Sequence, residues 1–179
     1  RLATASSLAR LDFRIDRKVH VITFTSIDFG ERIGNHDYLV ASLLDDSEFI
    51  FGDEQAFLEG KRTIFTGLPD TESVEFNERM GLMMLKRGND RVRSLLSNVS
   101  FIHNLETGNT TYDALLGCLK DYHLGLGYLA ASAKMRQLNK AISLRQLLTS
   151  DDYPFVKDLI LTEKSIMRKG TVNPQDATN

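Results

Sequence analysis

Two sets of residues in this chain are of types that could do chemistry together. One is the histidine of "KVHVITFT", His20, and the other is the run of carboxylates Asp45, Asp46, Glu48, Asp53 and Glu54. Carboxylates that converge from adjacent strands can hold two divalent ions roughly 3.5 to 4 Å apart and drive phosphoryl or nucleotidyl transfer. These five flank a short strand candidate, "EFIFG", instead of projecting from it, so a solvated turn is the simpler expectation. The remaining histidines, His36, His103 and His123, form no pair at metal-ligand spacing, and Cys118 is the lone cysteine. Zinc-finger and metalloprotease patterns are therefore absent, as are a Walker loop, a G-x-G-x-x-G turn and a G-x-S-x-G elbow. His123 is expected as a core histidine and His103 as a capping or solvated one. Met80, Met83 and Met84 are expected to fill gaps in a core, and Cys118, with no basic neighbour in sequence, to be buried and not nucleophilic.

The chain that must position these groups has 179 residues, of which 42% are hydrophobic, enough for one good core or two small ones. Its 22 basic and 24 acidic residues leave a net charge of −2, so bulk electrostatics do not point to nucleic acid or an acidic membrane surface and leave a nucleic-acid partner undecided. A single cysteine allows no internal disulfide, which fits a reducing, cytoplasmic setting. No apolar run approaches the roughly 20 residues that cross a bilayer, so no membrane partner is expected.

Residues 1–69 read as mixed α/β. "KVHVITFT" is a strand apolar on both faces. Ser26 is positioned to cap a helix from about Ile27 to Ile33, and Tyr38 to Leu44 is helical. "DEQAFLEG" is a helical turn closing at Gly60, and "KRTIFTGLPD" is a strand or extended connector. Gly67, Pro69 and Asp70 mark the boundary. From there to residue 170 the pattern is helical. A long helix opens at Glu72, with Gly88 and Asn89 as a weak point, and Thr110 and Asp113 approximate a capping box before a Gly- and Ala-rich helix from Tyr112 to about Met135. Ser143 and Gln146 cap "SLRQLL", and a last helix runs from Pro154 towards Gly170 with Phe155, Leu159, Thr162 and Ile166 on its buried side. Residues 171–179 are a polar tail.

The order strand, "TSIDFGERI", Leu-rich helix, "LLDDSEFIFGDE" resembles the latter half of a minimal nucleotidyltransferase domain of the DNA polymerase β type. "YDALLGCLKDYHLGLGYLAAS" resembles the central helix of a HEPN (higher eukaryotes and prokaryotes nucleotide-binding) bundle. The resemblance implies an α+β fold class: a short nucleotidyltransferase-like segment over 1–69, then an all-α antiparallel four-helix bundle over 70–170. It also implies transfer of a nucleoside monophosphate from an NTP to a protein or RNA acceptor by two-metal displacement, with Mg²⁺ and NTP as cofactors and a nucleotide as partner. In that family a carboxylate sits where this chain has His20, which makes His20 the candidate catalytic-site residue, as a neighbour of the metals and not their base. No Gly-Ser turn or Asp-x-Asp precedes Arg10, so the implied catalytic strands would lie upstream of Arg1, or the chain is an inactive relative. An ordinary strand residue is the plain alternative for His20. The competing function is a non-enzymatic binding or dimerisation module, a homodimer paired through the Gly- and Ala-rich helix.

Overall fold

The computed structural model describes residues 23–50, 52–106 and 112–170. His20, residues 18–22 of the predicted strand, Thr110 of the predicted capping box and the tail from 171 lie outside them. Among the described residues there is no strand, and the chain is a succession of helices.

Helix α1, Ser26–Gly34, is capped by Thr25, one residue before the expected Ser26: the Asp28 amide donates to Thr25 Oγ1 at 3.0 Å. Helix α2, Tyr38–Asp46, is capped by Asp37, and α3, Glu54–Thr66, by Asp53. The predicted mixed α/β segment is thus corrected to helices over its described part. The strand candidate "EFIFG" is irregular at its described residues, and "KRTIFT" forms the last turns of α3. The reason lies at Gly60, which reads as a helix terminator but serves as a contact point. A Cβ there would sit 2.8 Å from Ile33 Cδ1, so the missing side chain lets α1 lie against α3. Phe57, Gly60 and Ile64 then share one face at helical spacing, and Ile64 is buried with Val40, Ala41 and Leu44.

Helix α4, Thr71–Leu96, runs unbroken through Gly88 and Asn89 from its cap at Asp70. It is followed by α5, Val99–Glu106, and α6, Tyr112–Leu138. Helices α4 and α6 are antiparallel neighbours: Asn77 meets Met135, Gly81 meets Gly125, and Gly88 meets Asp121. A Cβ on Gly81 would lie 3.0 Å from the Gly125 carbonyl, and one on Gly125 equally close to the Gly81 carbonyl, so the backbones touch at the crossing. The expected weak point is therefore part of the packing. Helix α7, Leu144–Leu148, carries the predicted Ser143/Gln146 capping box, and α8, Pro154–Gly170, closes the bundle against α6. The buried side of α8 is Val156 and Ile160, one residue on from the expected Phe155 and Leu159 pair. Phe155 instead stands partly exposed, edge-on to Tyr153.

Helix α6 is apolar around most of its circumference and touches α2, α4, α7 and α8, as a central helix must. Tyr128, Ala130, Ala131 and Met135 on it share one core with Tyr38 of α2, Val74 of α4 and Val156 of α8. Met80 and Met84 pack against this core as expected, whereas Met83 faces outward.

Candidate functional site

The turn between α1 and α2 gathers most of the buried polar groups. Chain reversal at His36 requires φ of 49°, a left-handed value that costs a non-glycine residue about 1 kcal/mol or more. Asp37 follows, fully buried, and caps α2 through the Val40 amide at 2.9 Å. Its second oxygen accepts from Arg32 Nη1 at 2.9 Å, and the Tyr128 hydroxyl lies 3.1 Å from both oxygens. Burial pushes the Asp37 carboxyl above the usual carboxylate range, and the Val40 amide, Arg32 and Tyr128 pull against that rise. Asn77 of α4 completes the turn. Its Oδ1 accepts from the Tyr38 amide at 2.9 Å, while its Nδ2 reaches the carbonyls of Asn35, His36 and Ser73 at 3.2, 3.3 and 2.8 Å.

His36, Ser73 and Asp70 form a line, but not one built for nucleophilic attack. Such attack needs the imidazole between hydroxyl and carboxylate, so that it can take the hydroxyl proton. Here the hydroxyl is in the middle: Ser73 Oγ donates to Asp70 Oδ1 at 2.9 Å, and His36 Nδ1 stands 3.4 Å from Ser73 Oγ. Ser73 is itself buried. The line is a structural tie between the α1–α2 turn and the head of α4.

A second buried carboxylate, Asp121 on α6, is forked by two arginines of α4. Arg87 grips Oδ1, through Nε at 2.8 Å and through Nη2, and Arg91 Nε lies 3.1 Å from Oδ2. Arg91 Nη1 also donates to the Gly117 carbonyl at 3.1 Å, over a position where a Cβ would come 2.8 Å from that nitrogen. Cys118 is buried beside this fork and its thiol is pushed up, chiefly by burial, so it is unsuited to be a thiolate nucleophile.

The carboxylates singled out in the sequence do not converge. Asp53 caps α3, Asp45 accepts from Ser143 Oγ at 2.6 Å, and Asp46 faces Arg145 at 3.9 Å. Among the described residues no group of three or more His, Cys, Asp or Glu could hold a metal ion. His103 is exposed and His123 half-buried. Sequence reasoning missed Asp37, Asn77 and Asp121. Asp37 carried a readable signal, since it precedes the periodic run from Tyr38, whereas the other two are mid-helix residues whose partners come from distant helices.

Two features of the surface remain. A shallow groove of about 360 Å³ lies where α4 begins and α6 ends, lined by Pro69, Asp70, Val74, Met135, Arg136 and Asn139. Along the outward face of α4, Leu82 and Met83 are 60% and 51% exposed, with Glu75, Arg79, Lys86, Asp90 and Arg93 exposed around them. Among the described residues no helix is long and apolar enough to cross a membrane. No protein-family model, no curated protein and no solved structure matches the chain.

Proposed function

We propose that this chain is a non-enzymatic helical interaction module whose partner is a second copy, paired through the outward face of α4. The observation that carries the reading is the placement of Leu82 and Met83 near the midpoint of a helix spanning Thr71–Leu96. A two-fold axis through that midpoint would bring each apolar pair onto its copy, and an isologous contact needs such a self-facing patch. The exposed charges on the same face are Glu72, Glu75 and Asp90 against Arg79, Lys86 and Arg93, a zero balance that lets two copies approach without net repulsion. The Gly- and Ala-rich helix is a poorer choice for the pairing surface than its composition suggests. Gly117, Gly125 and Gly127 lie under Arg91, Leu85 and Tyr38, and Ala130 and Ala131 are core.

The buried ionisable groups support the same reading, because Asp37 and Asp121 are held by arginines of this chain. Nucleotidyl transfer with Mg²⁺ and NTP rests on His20 and on strands upstream of Arg1. Sedimentation equilibrium tests the pairing: wild type is expected to dimerise with rising concentration, and Leu82→Lys with Met83→Lys to stay monomeric with unchanged helicity. A wild type that remains monomeric at every concentration removes the reading. Calorimetry with Mg²⁺ and ATP is expected to give no heat, and a saturable signal would restore the transferase.

A further inference from the structure

Met83 carries a chemistry that pairing does not use. Its side chain is 51% exposed on the outward face of α4, whereas Met80 and Met84 are half-buried against the core and Met135 is buried. A thioether sulfur is polarizable, and one that solvent reaches is open to oxidation. The lone cysteine competes poorly for the same oxidant, because Cys118 is buried and its thiol is pushed up, chiefly by that burial. The positions one helical turn from Met83 in either direction are Arg79, Met80, Lys86 and Arg87, three cations and no carboxylate. Cations there favour the negative charge that develops on the departing oxygen of a peroxide.

We propose that Met83 is a peroxide-sensitive modification site: a hydroperoxide converts its thioether to the sulfoxide, and the sulfoxide opens the pairing through α4. The inference rests on the pairing proposed above. In the chemical step a sulfur lone pair attacks the distal oxygen of the hydroperoxide. The S–O bond forms as the O–O bond breaks, and the proton of the distal oxygen passes to the departing one. Sulfur is oxidised by two electrons, and the peroxide is reduced to an alcohol, or to water from hydrogen peroxide, with no further reactant. The product is polar where the contact needs an apolar group. A two-fold pairing about the middle of α4 would bury two sulfoxide oxygens beside the Leu82 side chains, which donate no hydrogen bond. Arg79 or Lys86 of the same helix can donate to that oxygen whether the chain is paired or not, so such a bond does not favour pairing. Lost hydration of the sulfoxide therefore tips the balance towards separate chains.

Sedimentation equilibrium before and after hydrogen peroxide, with peptide mass spectrometry to locate the added oxygen, tests the switch. Met83 is expected to gain its oxygen ahead of Met80, Met84 and Met135. The dissociation constant should rise by about tenfold or more while far-UV circular dichroism stays unchanged. Met80→Leu with Met84→Leu is expected to keep that response, since those sulfurs lie against the core. Met83→Leu is expected to show one dissociation constant with and without peroxide. Met83→Gln, which carries a permanent amide oxygen, is expected to pair as weakly as oxidised wild type with no peroxide added. An untreated wild type that is monomeric at every concentration removes the pairing itself. A dimer that persists or tightens with Met83 fully oxidised overturns the switch and leaves the pairing standing. Oxidation of Met80 or Met84 ahead of Met83, a peroxide response that survives in Met83→Leu, or helicity lost on oxidation would each overturn it too. Should Met83→Leu not pair, the match between oxidised Met83 and free monomer in wild type decides.

Discussion

Tyr128 donates one hydroxyl proton to a carboxylate that is fully buried, and Arg32 supplies the only side-chain cation among the described contacts of that carboxylate. Removing the hydroxyl leaves Asp37 short of a donor in a place where water cannot substitute, and an unsatisfied buried group costs about 1 to 3 kcal/mol. Tyr128→Phe is therefore expected to lose that much stability in urea denaturation at pH 7. The loss should shrink in an Arg32→Ala background, because both act on one carboxylate. An unchanged midpoint would mean that Asp37 does not need the phenol. The same change tests sign: a carboxyl pushed up by burial contributes more stability as pH falls towards its ordinary value, so acid should narrow the difference between the two proteins.

Glycines separate into two kinds once the helices are placed. At the α4–α6 crossing, a Cβ on Gly125 would sit 2.7 Å from Leu85 Cγ and 3.0 Å from the Gly81 carbonyl. The backbone cannot yield without moving a whole helix, so Gly125→Ala is expected to destabilise by about 1 to 3 kcal/mol, more than alanine's better helix propensity returns. Gly30 in α1 has nothing within 4 Å of the same added atom. There the propensity stands alone, and Gly30→Ala is expected to stabilise by up to about 1 kcal/mol. Thermal melts of the two variants should move in opposite directions. If both move alike, the close approach of α4 and α6 is wrong.

Across the molecule, Tyr38 of α2 sits edge-on to Tyr128 of α6 at 5.2 Å in a core that also takes Val74, Leu147, Val156 and Ile160. Helices from both sides of the Gly67–Asp70 link therefore share apolar contacts, and Asn77 adds hydrogen bonds across the same boundary. At pH 7.5, far-UV circular dichroism and tyrosine fluorescence are expected to report one coincident unfolding transition. Two separated transitions would show that residues before and after the link fold as independent units.

What could be read in the residues was local. The Ser143 cap, the Pro154 start of α8 and the extent of α6 follow from side-chain oxygens, fixed φ and apolar spacing within a few neighbouring positions, and those interactions are the same in any fold. Gly60 and Gly88 were misleading because a glycine's weakness in an isolated helix and its use at a close helix contact look identical in sequence. Only a neighbouring helix decides between them. The shift of the α8 face to Val156 and Ile160, and the outward turn of Met83, were likewise set by the central helix α6. Asp37, Asn77 and Asp121 became sites only when Tyr128 reached the first, the turn at residues 35–38 the second, and Arg87 and Arg91 the third, since a buried polar group is held by partners that proximity in sequence does not specify.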